Sequence, residues 1–188
     1  VNPLQGAYAF EGVPVGSAAS RLVVPLFRSA QRGVGATDRI DTMIALANPG
    51  TEAVTVTATY YGTTNVKASA SCRGREFHHE EVVVPAGGSA RLEQAQGGRH
   101  DLPADCFGSA VIATAADDQR IAATVIDMTN GSEFLSANNA MPVAQATLRV
   151  AVPLFRRAHY DLTTGIQVMN TADVSATVHI QFVATANN

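Results

Sequence analysis

The chain has 188 residues, of which 46% are hydrophobic, so it is long enough to bury a core in one or two domains. Only 15% of the residues are charged, and the net charge of -3 gives no general attraction to nucleic acid or to an anionic membrane. No stretch approaches the roughly 18 consecutive apolar residues of a membrane-spanning helix. We therefore expect no nucleic-acid partner and no membrane-spanning segment.

Three strands are predicted in the first third of the chain from period-2 patterning. Residues 21–28 form the first, and Pro25 marks an edge strand or a bulge because proline cannot donate to a β-ladder. Residues 41–47 form a short apolar strand that ends at the turn Asn48-Pro49-Gly50. Residues 53–61 alternate cleanly between an apolar face and a threonine face. The apolar face consists of Val54, Val56, Ala58 and Tyr60.

The middle of the chain predicts further short strands separated by turn residues. They are a weaker strand at 66–71, strands at 81–84 and 89–93 around the turn 85–88, and strands at 107–115 and 120–127. The last two are predicted to form a hairpin around the turn at 116–119. No segment gives a convincing helical face. The pattern predicts an all-β antiparallel sandwich.

A tandem repeat is the most informative feature of the sequence. Val24-Pro25-Leu26-Phe27-Arg28 occurs again as Val152-Pro153-Leu154-Phe155-Arg156, and residues 13–15 correspond to 141–143. Further along, 47–48 with 53–57 corresponds to 169–170 with 175–179, after one loop that is shorter by 6 residues. The second copy predicts strands at 148–156, 164–170 and 175–184 and stops soon afterwards. Repeats of this kind identify the structural unit.

The repeat divides the chain into three predicted parts. Residues 1–20 are an N-terminal extension, either the end of a preceding repeat or a donor strand. Residues 21–143 are one complete module, and 144–188 are the first three strands of an incomplete second module. The chain starts at Val1 without a visible signal peptide, which favours an internal starting point.

An incomplete sandwich exposes a strand edge that templates pairing. Three outcomes are open: the polypeptide continues beyond Asn188, a neighbouring subunit supplies the missing strands, or the last three strands extend the first sandwich. In the second case we expect the N-terminal extension to act as the donor strand. Its candidate assembly residues are Tyr8, Phe10, Val13 and Val15.

Cys72 and Cys106 are the two cysteines of the chain, and both lie beside turn-like sequence. One disulfide in an oxidising compartment is the favoured interpretation, and two buried free thiols are the alternative. A bond between them would close a loop of about 35 residues and contribute roughly 3–4 kcal/mol on the chain-entropy model.

Motifs for catalysis or metal binding are weak. His78-His79-Glu80-Glu81 offers two side chains to each face of a strand, which does not complete a metal site, so the segment is better explained as a solvated polar strand. Gly87-Gly88-Ser89-Ala90-Arg91 lacks the last glycine of a nucleophile elbow. Asp117-Asp118 suits a turn. We predict no catalytic residue, metal site or cofactor.

The order of these motifs resembles the immunoglobulin-like repeats of bacterial secreted and surface proteins. The resemblance spans about residues 13–188 and includes the repeated Val-Pro-Leu-Phe-Arg, 164–170 with 176–178, the turn 83–89, and 102–112 with 121–125. It implies an immunoglobulin-like β-sandwich used as a spacer, an array module or an adhesion stalk, and it carries over no catalytic residue. The cysteine pair is not part of the pattern.

Together these features predict a non-enzymatic structural protein of the cell surface. It would be a subunit of an extracellular filament or a segment of a tandem-repeat stalk, with copies of itself or adjacent repeats as partners. Two alternatives remain: a module that binds a surface glycan or a protein through loops such as 94–105, and an accessory domain of a secreted hydrolase.

Overall fold

The computed structural model describes residues 12–33, 38–78, 81–93, 102–129, 133–152, 155, 157 and 164–183. Within them the chain is all-β with antiparallel pairing, plus one-turn 3-10 helices at Val15–Ser17 and Val143–Gln145. The strands are β1 (Arg21–Ser29), β2 (Gln31–Arg32), β3 (Arg39–Ala47), β4 (Val54–Gly62), β5 (Glu76–His78), β6 (Val82–Val84), β7 (Ser89–Glu93), β8 (Cys106–Thr114), β9 (Ala122–Thr129), β10 (Glu133–Asn139) and β11 (Met141–Pro142).

These strands form two antiparallel sheets that share one core. The first sheet has the order β11-β1-β8-β4-β5. Strand β6 pairs with β4 on the same side as β5, β6 at residues 54–56 and β5 at residues 59–61. The second has the order β10-β9-β3-β2, with β7 also paired to β3. Apolar side chains from both sheets belong to a single buried cluster. The all-β prediction is therefore confirmed.

Alternation along the strands explains how the core forms. Val54, Val56, Ala58 and Tyr60 are all buried, as their spacing predicts for one face of a strand. The ring of Tyr60 meets that of Phe27 edge-to-face, with centroids 5.0 Å apart and planes inclined at 73°. Strand β8 runs between their strands, where a Cβ on Gly108 would overlap the carbonyl oxygen of Tyr61. Glycine thus permits the close approach of β8 and β4.

Pro25 lies at a bulge. The register between β1 and β8 shifts between Val24 and Phe27, so the proline interrupts the ladder where pairing is already irregular. The bulge is therefore confirmed, whereas the edge alternative is not excluded by β11, which pairs with β1 at Leu22 and Val23.

Two predictions for the middle of the chain, the strand at 66–71 and the hairpin around 116–119, are wrong. Residues 66–71 form consecutive turns, in which the N–H of Cys72 donates to the carbonyl of Ser69 at 3.0 Å. Strands β8 and β9 are not a hairpin, because β8 pairs with β1 and β4 whereas β9 pairs with β3 and β10. The turn at 116–119 carries the chain from one sheet to the other. Both strands are apolar on their inner face, and each occupies the interior of a different sheet.

The strands predicted at 148–156, 164–170 and 175–184 are not formed in the part of these segments that the structure describes. Among the residues of these segments that the structure describes, none belongs to a β-ladder. In the first copy the corresponding strands are paired by β7, β8 and β9, and among the described residues no strand pairs with these segments of the second copy.

Candidate assembly site

The linker before each copy has the same local structure. The 3-10 turns Val15–Ser17 and Val143–Gln145 occupy equivalent positions, and each is preceded by a proline, Pro14 or Pro142. The two prolines have almost the same backbone angles, with φ of -59° and -54° and ψ of 139° and 135°. The sequence repeat is therefore also a structural repeat at its junctions.

The turn after the second segment is repeated as well. In the first copy, the side-chain amide of Asn48 donates to the carbonyl of Glu52 at 2.7 Å, and its Oδ1 accepts from the N–H of Gly50 at 2.9 Å. In the second copy, Asn170 donates to the carbonyl of Val174 at 2.7 Å and accepts from the N–H of Ala172 at 3.1 Å. An asparagine side chain can stabilise such a turn locally, without help from the rest of the fold.

The aromatic pair of the core recurs in the second copy. Phe155 corresponds to Phe27 and Phe182 to Tyr60 in the repeat. The rings of Phe155 and Phe182 meet edge-to-face, with centroids 4.9 Å apart and planes inclined at 61°. The second copy therefore brings its first and third segments together at the same point as the complete module does.

The difference between the copies is burial. Phe27 and Tyr60 are 0% and 1% exposed, whereas Phe155 and Phe182 are 37% and 60% exposed. The aliphatic positions behave in the same way. In the first copy Leu22, Val24, Ile44, Leu46 and Val56 are buried, and their counterparts Val150, Val152, Ile166, Val168 and Val178 are exposed. We call residues 148–183 of the described chain the uncovered repeat.

The N-terminal candidate residues are only partly described. Tyr8 and Phe10 lie outside the described residues. Val13 and Val15 belong to the first linker, where Val15 is largely exposed. Their counterparts Met141 and Val143 follow β10, and Met141 pairs with Val23 of β1. Their role in assembly stays a prediction.

The predicted disulfide is present between Cys72 and Cys106, with Cα atoms 5.3 Å apart. Both cysteines are completely buried. The bond ties the turn region after β4 to the first residue of β8, so it holds the end of the first sheet.

A buried polar network links the two sheets, and no sequence motif pointed to it. Arg28 forms an ion pair with Asp127, whose Oδ1 also accepts from the hydroxyl of Thr42 at 2.7 Å. Ser136 donates to the other carboxylate oxygen at 3.2 Å, and the N–H of Arg28 donates to Thr42 Oγ1 at 2.9 Å. Both oxygens of this carboxylate accept hydrogen bonds, so the network stabilises the contact between the two sheets.

Asp41 is a second buried carboxylate. Its Oδ1 accepts from the N–H of Ala30 at 2.7 Å, and Ala30 has a positive φ of 43°. Burial raises the pKa of Asp41, and the hydrogen bond from Ala30 partly opposes that rise. The contact explains how a non-glycine residue is held in the left-handed region between β1 and β2.

Among the described residues, the sequence candidates for chemistry are not brought together. His78 ends β5 on the surface, with Nε2 3.3 Å from Glu76 Oε1, and His79 and Glu80 lie outside the described residues. Within the described residues, no group of three or more histidine, cysteine or acidic side chains is placed to hold a metal ion. In the same part of the chain, no helix is long and apolar enough to cross a membrane.

Comparison with known proteins adds no family. No protein-family model matches the chain, and no curated protein matches it. Among solved structures, "Crystal Structure of Thermotoga maritima 1070" is similar over 65% of this chain and 92% of its own, with a TM-score of 0.44 and 11% sequence identity. That similarity is too low to carry an argument, and the resemblance to immunoglobulin-like repeats stays a prediction.

Proposed function

We propose that the protein is a non-enzymatic structural protein of the cell surface, a subunit of an extracellular filament or a segment of a tandem-repeat stalk. Its modules would be immunoglobulin-like β-sandwiches that assemble by β-strand pairing. The observation that carries the proposal is the uncovered repeat, which has the aromatic contact and the asparagine turn of the complete module while its core-facing side chains lie in solvent.

The complete module shows what covers such residues. Its inner face is covered by side chains from the later strands, including Val84, Leu92, Ile112 and Val125. Burying one large apolar side chain contributes roughly 1.5–3 kcal/mol, so covering the exposed set is strongly favourable. A contiguous exposed apolar surface commonly marks an interaction site. The partner chemistry is therefore that of β-strands from another copy or an adjacent repeat.

The pairing of β11 with β1 in the complete module also predicts a register for pairing between copies. In the complete module, Met141 and Pro142 of β11 pair with Val23 and Leu22 of β1. The repeat places Val13 and Pro14 in the position of β11, and Val150 and Ala151 in the position of Leu22 and Val23. The N-terminal extension of one copy would thus pair beside residues 150–151 of another. Such head-to-tail contacts do not close on themselves and build a filament.

The location outside the cytoplasm rests on the disulfide. A fully buried bond between Cys72 and Cys106 suits an oxidising compartment, where such bonds form and persist.

Sedimentation velocity over a range of protein concentrations, with negative-stain electron microscopy of the same samples, tests the proposal. We expect concentration-dependent association of the wild type. Phe182→Ser should weaken that association because it removes apolar surface from the uncovered repeat. Val66→Ser is the matched control, since Val66 is an exposed valine in a loop of the complete module.

Strict monomers at every concentration would contradict the proposal. If such monomers bound a glycan array, the adhesion alternative would replace it. Equal association of both variants and the wild type would show that assembly, if present, uses another surface.

A further inference from the structure

Val23 is buried on the outer face of the first sheet, the face that points away from the core. Leu22, Val23 and Val24 are consecutive on β1, and all three are 3% exposed or less. Side chains alternate along a strand, and Leu22 and Val24 belong to the core cluster. Val23 therefore points to the outer face of the first sheet, and something other than the core must cover it.

The covering residues come from the linker and the second copy. A cleft of about 320 Å³ is lined on the sheet side by Arg21, Val23, Tyr61, Ser109 and Val111. Its other side is lined by Val143 of the second linker and by residues 169–173, the asparagine turn of the uncovered repeat. Opposite charges, Arg21 and Asp173, stand on the two sides of the cleft.

Burial within the second copy points to the same place. Over the described stretch 164–183, the partly buried residues are Thr164, Met169 and Thr171, and the remaining ones are exposed. Two of those three line the cleft. The second copy thus contacts the complete module through its turn, and its core-facing apolar side chains stay free for another partner.

The same linker and turn are associated in the first copy. Val15, the counterpart of Val143, lines a groove of about 380 Å³ together with Ala47, Asn48 and Pro49. Those three residues correspond to Met169, Asn170 and Thr171. No sheet face of a preceding module stands against this groove among the described residues, and Val15 is 74% exposed there. The linker–turn association is therefore a property of the repeat itself.

We infer that the outer face of the first sheet, formed by Arg21, Val23, Tyr61, Ser109 and Val111, is a docking surface for the linker and asparagine turn of the following module. This joint fixes the orientation of successive modules, whereas connected domains without a substantial interface move relative to one another. The inference rests on the tandem arrangement of the proposed function, but it concerns a contact within one chain and not association between chains.

Val143→Asp tests the joint in the full chain, because it replaces an apolar side chain of the cleft with a carboxylate on the same side as Asp173. Val66→Asp is the matched control, the same substitution at an exposed valine away from the cleft. We expect Val143→Asp to raise the rate of amide hydrogen exchange in residues 169–173 at least about tenfold. It should also increase the radius of gyration measured by small-angle scattering. Val66→Asp should leave both measurements as in the wild type.

Ser109→Arg provides a second variant on the sheet side of the cleft, where a long side chain blocks docking without entering the core. It should reproduce the effect of Val143→Asp, with circular dichroism confirming that the sheets are folded. If both cleft variants show the exchange rates and the radius of gyration of the wild type, the inferred joint is wrong. Because these measurements use dilute monomer, that result would not bear on the proposed polymerisation. A wild type that stays monomeric but protects residues 169–173 from exchange would overturn only the proposed function.

Discussion

Arg28 on β1 forms an ion pair with Asp127 on β9, and the contact joins the two sheets at the margin of the core. The carboxylate of Asp127 also accepts hydrogen bonds from Thr42 and Ser136, which lie on β3 and β10. Four strands therefore depend on one carboxylate.

Asp127→Ala should lower the free energy of unfolding by about 2–4 kcal/mol, because it leaves the guanidinium and the Thr42 hydroxyl without their acceptor. Urea unfolding measures the change. Asp117→Ala, in the exposed turn between β8 and β9, is the control and should stay within about 0.5 kcal/mol of the wild type. Equal effects of the two substitutions would show that the network contributes nothing to stability.

Asp41 should make the protein less stable as the pH rises through its folded-state pKa. Burial raises the pKa of Asp41 above its ordinary value of 3.8, so between the two values the folded state binds more protons than the unfolded state. Stability from this group is complete at low pH and is lost as the pH rises. Asp41→Asn keeps the acceptor for Ala30 and removes the charge. Unfolding free energies of both proteins from pH 3 to 7 should diverge in favour of the variant, and parallel curves would contradict the assignment.

Reduction of the disulfide should destabilise the complete module by about 3–4 kcal/mol, because Cys72 and Cys106 are separated by 34 residues and the bond limits the unfolded chain. Thermal unfolding with and without a reductant measures the loss. A Cys72→Ala/Cys106→Ala variant should be insensitive to the reductant and as labile as the reduced wild type. An unchanged midpoint on verified reduction would refute the prediction.

The two asparagine turns provide a matched comparison of the same interaction in a complete and an uncovered repeat. The Asn48 side-chain nitrogen lies 2.7–3.1 Å from the carbonyl oxygens of Glu52, Val84 and Pro85, whereas Asn170 has the equivalent of the first contact. Asn48→Ala should cost about 2–3 kcal/mol, because it leaves buried carbonyls unpaired, and Asn170→Ala less than about 1 kcal/mol. Denaturant unfolding of both variants checks this. Equal costs would mean that the contacts to β6 and its following turn are without effect.

Much of the local structure could be predicted from the residues. The alternation in 53–61 and the turn Asn48-Pro49-Gly50 predict β4 and its start, because the period of two and the turn chemistry act over a few residues. The prediction of a hairpin at 116–119 is wrong for the same reason. A turn sequence shows that the chain reverses there, and it carries no information on which sheet receives the next strand.

The assembly site was predictable only in outline. The repeated Val-Pro-Leu-Phe-Arg identifies the second copy, but the burial of Val23 on the outer sheet face has no sequence signature, since an alternating strand predicts a solvated residue there. The network of Arg28 and Asp127 was also missed, because its members are separated by 99 residues and each alone resembles a surface charge.

The amino-acid sequence by itself determined the all-β character, the repeat and the positions of most strands, because these depend on side-chain period and on turn residues close together in the chain. Tertiary structure alone decided that β8 and β9 belong to opposite sheets and that the second copy rests on the outer face of the first. Those outcomes depend on which apolar surfaces, far apart in the sequence, are buried against each other. This is decided only when the whole chain packs.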